Sequence, residues 1–125
     1  MFLTQQQYQN LVIMANRLAC YYYSPVYLVG SALQTPFYND VDIVVILSDE
    51  NFERRYGSID SYIKENNENI KIVTRKNWAV DCFKRWQIIS DFTGLNIDFK
   101  TQSQTISKNH LGKPFLRLDM LDVFN

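Results

Sequence analysis

Two apolar runs joined through a glycine-serine turn constrain this chain more than any other feature. They lie in VYLVGSALQTPFYNDVDIVVIL, from Val26 to Leu47. Short apolar, β-branched runs bounded by turn residues read as strands. The pattern predicts a buried strand over residues 26–29, a polar connection from Gly30-Ser31, and a second strand over 41–47. The uninterrupted Ile43-Val44-Val45-Ile46-Leu47 core of the second run predicts a central strand covered on both faces.

Around this pair the chain alternates helix and strand, without repeats or low-complexity linkers. Thr4 to Gln7 reads as a capping box, and Tyr8, Leu11, Val12, Ala15, Leu18 and Ala19 recur at helical spacing, predicting a helix over 4–19. Pro25 ends it, because the residue before a proline disfavours the helical region. Ser48-Asp49-Glu50 starts a second helix, broken near Gly57 and continuing to about Asn66. Ile70 to Val73 reads as a short edge strand or an ordered loop. Asn77 caps a further helix that places Ala79, Cys82, Phe83, Trp86 and Ile89 on one face, with Gly94 as its stop. Leu95 to Lys100 alternates strictly and is a third strand. The tail after Ser107 shows no clear period. The expected architecture is a single α/β domain over residues 1–125, a small mixed sheet flanked by helices.

Asp40 and Asp42 stand at the mouth of the second strand, on one face and about 6–7 Å apart along it. Carboxylates so placed, with no basic residue between them, repel each other unless a cation holds them. The third strand turns Asn96, Asp98 and Lys100 to the face opposite Leu95, Ile97 and Phe99. If that strand lies beside the second, Asp98 completes a cluster of three carboxylates. Such a cluster suits a divalent-metal site beside a glycine turn that admits a phosphate, which points to nucleotide chemistry.

Gly30-Ser31, an eight-residue spacer, Asp40-Val41-Asp42-Ile43 and the later Asp98 resemble the nucleotidyltransferase fold shared by DNA polymerase beta, poly(A) polymerases and antibiotic nucleotidyltransferases. The stretches VGSALQTPFYNDVDIVVILSDENF and TGLNIDFKTQSQ are similar to short bacterial and phage nucleotidyltransferase-like proteins. The resemblance implies a minimal nucleotidyltransferase fold. It also implies that two magnesium ions are held by Asp40, Asp42 and Asp98, with Asp98 also the base for an attacking hydroxyl. Gly30 and Ser31 would receive the phosphates of a nucleoside triphosphate, with Lys100 as the best-placed charge beside them. The implied reaction transfers a nucleoside monophosphate to RNA, a protein or a small molecule and releases pyrophosphate.

Composition narrows the alternatives. Lysine plus arginine and aspartate plus glutamate number 13 each, so a role on long nucleic acid must rest on a local basic patch. No signal-like N-terminus and no apolar run of about 18 residues is found, so a soluble, cytoplasmic protein without membrane partners is expected. Cys20 and Cys82 read as buried free thiols. With His110 the sole histidine, a structural zinc site is excluded. Arg54, Arg55, Arg75, Lys76, Lys84 and Arg85 read as surface cations, Trp78 and Trp86 as core or subunit packing, and His110 as a loop residue. Of the three tyrosines Tyr21 to Tyr23, at least one must be exposed.

Two function classes stay open. One is a magnesium-dependent nucleotidyltransferase. The other is a catalytically idle binding module, antitoxin-like or anti-defence. Ala32-Leu33-Gln34, where many active members of the family carry arginine and glycine, and the lack of room for a second domain support the latter. Either class is compatible with a homo-oligomer or a partner subunit.

Overall fold

Thr4 and Gln7 open the first helix with the expected reciprocal cap. The Gln7 N–H donates to Thr4 Oγ1 (3.1 Å), and the Thr4 N–H donates to Gln7 Oε1 (2.8 Å). The structure, a computed structural model, describes residues 2–64, 73–107 and 114–121. Helix α1 runs from Gln5 to Tyr22, three residues beyond the expected end. Tyr22 is fully buried and belongs to the core, so the helix persists until Tyr23 enters the left-handed region (φ 50°) ahead of Pro25. Tyr21 and Tyr23 are both exposed, where the sequence required at least one of the three to be.

Strand β1 (Val26–Val29) leads through a 3₁₀ turn at Ser31–Leu33 into β2 (Val41–Leu47). Ser48 caps α2 (Asp49–Tyr56) by accepting the Asn51 N–H at 3.1 Å, and Gly57 (φ 121°) ends that helix before α3 (Ile59–Lys64). Helix α4 spans Val73–Thr93 and leads into β3 (Ile97–Ser103), the short α5 (Gln104–Ser107) and β4 (Phe115–Arg117). The ambiguous segment from Ile70 lies outside the described residues up to position 72, as does His110. Asn77 does not cap α4. Helix α4 is already under way at Val73, and the Asn77 amide instead donates to the Tyr56 carbonyl at 3.2 Å.

The strands form one mixed sheet in the order β3-β2-β1-β4. β1 pairs antiparallel with both β2 and β4, and β2 pairs parallel with β3. This is the α/β class that the alternation predicts. Strand alternation sends Val26, Leu28, Val41, Ile43, Val45, Leu47, Ile97 and Phe99 into one core with Leu11, Ala15 and Leu18 of α1, Phe52 of α2 and Ile89 of α4. β2 is central, as expected, but among the described residues the main helices cover only one of its faces. Val44 and Ile46 face the other way and are half-buried in the floor of a cleft. Their apolar character reflects that floor rather than a second helical layer.

A polar network ties the helices together behind the sheet. The hydroxyls of Tyr22 and Tyr56 both donate to Asp81 Oδ2, at 2.8 and 2.6 Å, and Tyr56 also meets Thr101 Oγ1 at 3.0 Å. Arg85, read from sequence as solvated, packs inward instead, pairing with Asp81 at 3.6 Å and lying over the Tyr21 ring. Phe83, placed by periodicity on the core face of α4, is 62% exposed, because α4 passes the edge of the sheet there and no element among the described residues covers it. Of the two free thiols Cys82 is buried and Cys20 is exposed, so the expectation of burial holds for one. At the far edge the buried Asp119 accepts the Val26 N–H (2.8 Å) and pairs with Arg117 (3.0 Å), which fixes β4 against β1. Among the described residues no helix is long and apolar enough to cross a membrane.

Candidate metal centre

The parallel register of β2 and β3 sets Asp42 directly opposite Asp98. Both side chains point to the face that the helices leave open. Asp40 precedes β2, two residues from Asp42 and on the same face. Each of the three offers a carboxylate oxygen, and these oxygens lie within 4.8 Å of one another. The sequence-predicted trio is therefore brought together by the sheet. Asp40 is exposed, and the other two are half-buried.

Local structure holds each carboxylate in place. The Asn96 side chain donates to Asp40 Oδ1 (2.8 Å) and to the Asn39 carbonyl (3.0 Å), while the Asn96 carbonyl accepts the Val41 N–H (2.8 Å). Asn96 thus clamps the entry of β2 to the start of β3. Gly30 turns the chain away from β1 with φ 79° and ψ −158°, a region open essentially to glycine. Its bare Cα also makes room for Asp42, since a Cβ there would stand 2.1 Å from Asp42 Oδ2. The glycine and the aspartate are one device.

The electrostatics are those of an acidic cluster that Lys100 compensates only in part. The Asp42 carboxyl is pushed above the usual carboxylate range, first by burial and then by the neighbouring Asp98 charge. Its hydrogen bond with Asp98 and the charge of Asp40 act in the same direction, while Lys100 opposes them. Lys100 Nζ lies 3.7 Å from Asp98 Oδ2, and with both side chains about half exposed this pair is weak. A group of close carboxylates in which Asp42 is held back from ionising is equally a set that gains from a divalent cation. The donor set is all oxygen, as magnesium requires, so the residues fit that metal.

A cleft of about 760 Å³ opens beside the cluster. Gly30, Ser31, Gln34, Asp42, Asp98 and Lys100 line its polar end, and Tyr27, Val29, Val44, Ile46 and Phe115 give it an apolar floor and wall. Tyr27 and Phe115 meet edge to face with centroids 5.4 Å apart. Every residue singled out for phosphate contact, Gly30, Ser31 and Lys100, faces this cleft. The arginines do not line it. Arg55 stacks on Tyr21 and Tyr22, and Arg75 on Tyr62, so these cations build the helical layer. Trp78 packs against Tyr62 and donates its indole N–H to the Thr101 carbonyl at 2.8 Å, a structural role.

Asn96, Gln34, Tyr27 and Phe115 are the site residues that sequence reasoning missed. Asn96 carried a signal, since it shares the alternating face of Asp98. Phe115 carried none, because its proximity depends on β4 joining β1, and nothing in the residue types of Gln34 or Tyr27 marked them. No family model, curated protein or solved structure matches the chain.

Proposed function

We propose that this chain is a magnesium-dependent nucleotidyltransferase that moves a nucleoside monophosphate from a nucleoside triphosphate to a hydroxyl acceptor. The observation that carries the reading is the convergence of Asp40, Asp42 and Asp98, the latter two lining a cleft that also holds the Gly30-Ser31 turn. The resemblance of the same residues to the nucleotidyltransferase pattern supports it.

In this reading Asp40, Asp42 and Asp98 hold the metal. Bound magnesium supplies charge neutralisation for the triphosphate and for the pyrophosphate that leaves. The chain's own groups do the rest. Gly30 lets the backbone approach the phosphates closely, and the Ser31 hydroxyl donates to a phosphate oxygen. Lys100, already in the cleft, swings from Asp98 towards the triphosphate. Asp98, released from that contact, takes the proton of the acceptor hydroxyl. The acceptor oxygen forms a bond to the α-phosphorus as the α–β bridging bond breaks, and pyrophosphate departs with the displaced electron pair. The apolar floor around Val44 and Ile46 excludes water from one side of this exchange.

One observation favours a second reading, a catalytically idle module of the antitoxin-like or anti-defence kind. Lys100 provides an internal counter-ion to Asp98, which a site without metal needs. Calorimetric titration of the full chain with each nucleoside triphosphate, with and without magnesium, separates the two. Magnesium-dependent binding that disappears in Asp42→Asn, together with pyrophosphate release on addition of an acceptor, supports the transferase. Absence of binding to every triphosphate overturns it.

A further inference from the structure

On the far side of Asp98 from the large cleft, β3 is an edge strand with a partly open edge. The Val41 N–H to Asn96 C=O bond (2.8 Å) sets the phase of the parallel ladder. In such a ladder alternate residues turn both backbone groups to the neighbour. Asp98 and Lys100 therefore face β2, while Ile97, Phe99 and Thr101 present their N–H and C=O outward. The chain caps Thr101 itself, since the Trp78 indole takes its carbonyl and the Cys82 sulfur hydrogen-bonds to its backbone. Among the described residues nothing pairs with the outward groups of Ile97 and Phe99. Proteins usually cover such groups, and here the described residues cover only the next pair along the strand.

A groove of about 430 Å³ lies along that uncapped stretch, between β3 and α4. Phe83 and Trp86, with ring centroids 5.5 Å apart, wall it and remain 62% and 37% exposed. Asp40 and Asp98 form its opposite rim. A strand added to β3 would lie about 4.8 Å away and send alternate side chains to the two faces of the sheet. On the helix face a side chain enters the aromatic groove. On the open face the side chains before and after it pass Asp98.

We infer that the Ile97–Phe99 edge of β3 and the Phe83–Trp86 groove together dock an extended segment of a partner protein, one apolar residue flanked by lysine or arginine. Charge decides the occupant. A second copy of this chain pairing antiparallel on the same stretch sets Asp98 opposite Asp98 and brings two acidic clusters together, which is unfavourable. A basic segment meets Asp40 and Asp98 with opposite charge and competes with Lys100 only for its weak contact to Asp98. The main-chain bonds supply register, and the groove and the carboxylates supply selectivity, as in other cases of strand addition. The inference concerns the metal-free chain and does not depend on the transferase reading.

The test is selection of a displayed library of random decapeptides on the immobilised full chain in buffer with EDTA. A synthetic copy of the best binder is then titrated by NMR. The expected winners carry an apolar residue between two basic ones. The titration should shift the amide resonances of Ile97 and Phe99, and affinity should fall at least tenfold on Phe83→Ser. Because Phe83 is exposed, that variant folds, and an unchanged helical spectrum checks it. Winners without lysine or arginine, no enrichment over a bare surface, or shifts confined to other residues overturn the inference. Sedimentation that shows a dimer dissociated by Phe83→Ser also overturns it, since a second copy then owns the edge.

Discussion

Asp42 on β2 and Asp98 on β3 are register partners across a parallel ladder, and their carboxylates lie within 4.8 Å of one another on the open face of the sheet. A fold gains nothing structural from two acids in that position. Replacing Asp42 by asparagine removes one charge while keeping the shape and a hydrogen-bonding side chain. The Asp42→Asn variant should therefore be more stable than the parent without metal, by about 0.2–1 kcal/mol on the scale of cross-strand pairs. Magnesium should raise the melting temperature of the parent and leave the variant unchanged. Differential scanning fluorimetry with and without magnesium reads both, and a less stable variant would contradict the account.

The raised proton affinity of Asp42 gives a pH dependence whose sign can be worked out. Its folded pKa lies above its unfolded value, so the folded state binds the proton more tightly. The associated stabilisation is complete below the unfolded pKa and is lost as pH rises through the folded pKa. Denaturant unfolding of the metal-free parent and of Asp42→Asn should show the parent gaining relative stability as pH falls through that window. A difference that does not vary with pH would show that Asp42 is ionised as easily as a free aspartate.

Gly30→Ala tests whether the turn and the metal centre are one device. The backbone region at φ 79° and ψ −158° costs a residue with a side chain about 1–3 kcal/mol. In addition, the new Cβ would meet Asp42 Oδ2 and must displace it. The variant should lose the magnesium-dependent rise in melting temperature, whereas Ser31→Ala should retain it. Equal metal responses in Gly30→Ala and the parent would uncouple the two residues.

The network behind the sheet carries a different expectation. Asp81 accepts hydroxyl hydrogens from both Tyr22 and Tyr56, and burial first of all holds both phenols well above their ordinary pKa. Removing the acceptor strands the Tyr22 hydroxyl, at about 1–3 kcal/mol for an unsatisfied buried group, leaves Tyr56 with Thr101 alone and removes the ion pair of Arg85. Asp81→Ala should thus cost more in urea unfolding than Tyr22→Phe, which deletes a single bond and leaves Asp81 with Tyr56 and Arg85. The reverse order would mean that Thr101 and water accept the freed hydroxyl hydrogens.

Much of this arrangement was legible in the residues, and the gaps have physical causes. The two strands over 26–29 and 41–47 follow from apolar runs bounded by turn residues, and both ends of each agree with the structure. The third strand was readable in existence, but it starts at Ile97 rather than Leu95 and extends to Ser103, because pairing with all of β2 overrides the end of the alternation. β4 escaped notice since its three residues are too few to display a period. The trio Asp40, Asp42 and Asp98 could be nominated from spacing alone. That Asp98 neighbours Asp42 could not, because it depends on a crossover through three helices. Phe83 misled the reading for a similar reason: helical periodicity records a side chain's direction, whereas the edge of the sheet decides whether anything lies there.

Lys100 offers the sharpest separation of the two functional readings. It sits 3.7 Å from Asp98 and lines the same cleft as Gly30 and Ser31. If Lys100 serves the triphosphate, Lys100→Met removes a competitor for the carboxylates and a partner for the phosphates. Magnesium alone should then bind more tightly, while the magnesium-dependent affinity for nucleoside triphosphate should fall roughly tenfold, the scale of one charge-assisted hydrogen bond. If Lys100 is the permanent counter-ion of an idle site, its loss leaves the acidic cluster uncompensated. The metal-free variant then melts at a lower temperature, and triphosphate binding is absent in parent and variant alike. Calorimetry on the two proteins, with metal and nucleotide titrated separately, distinguishes these outcomes because the first moves two affinities in opposite directions.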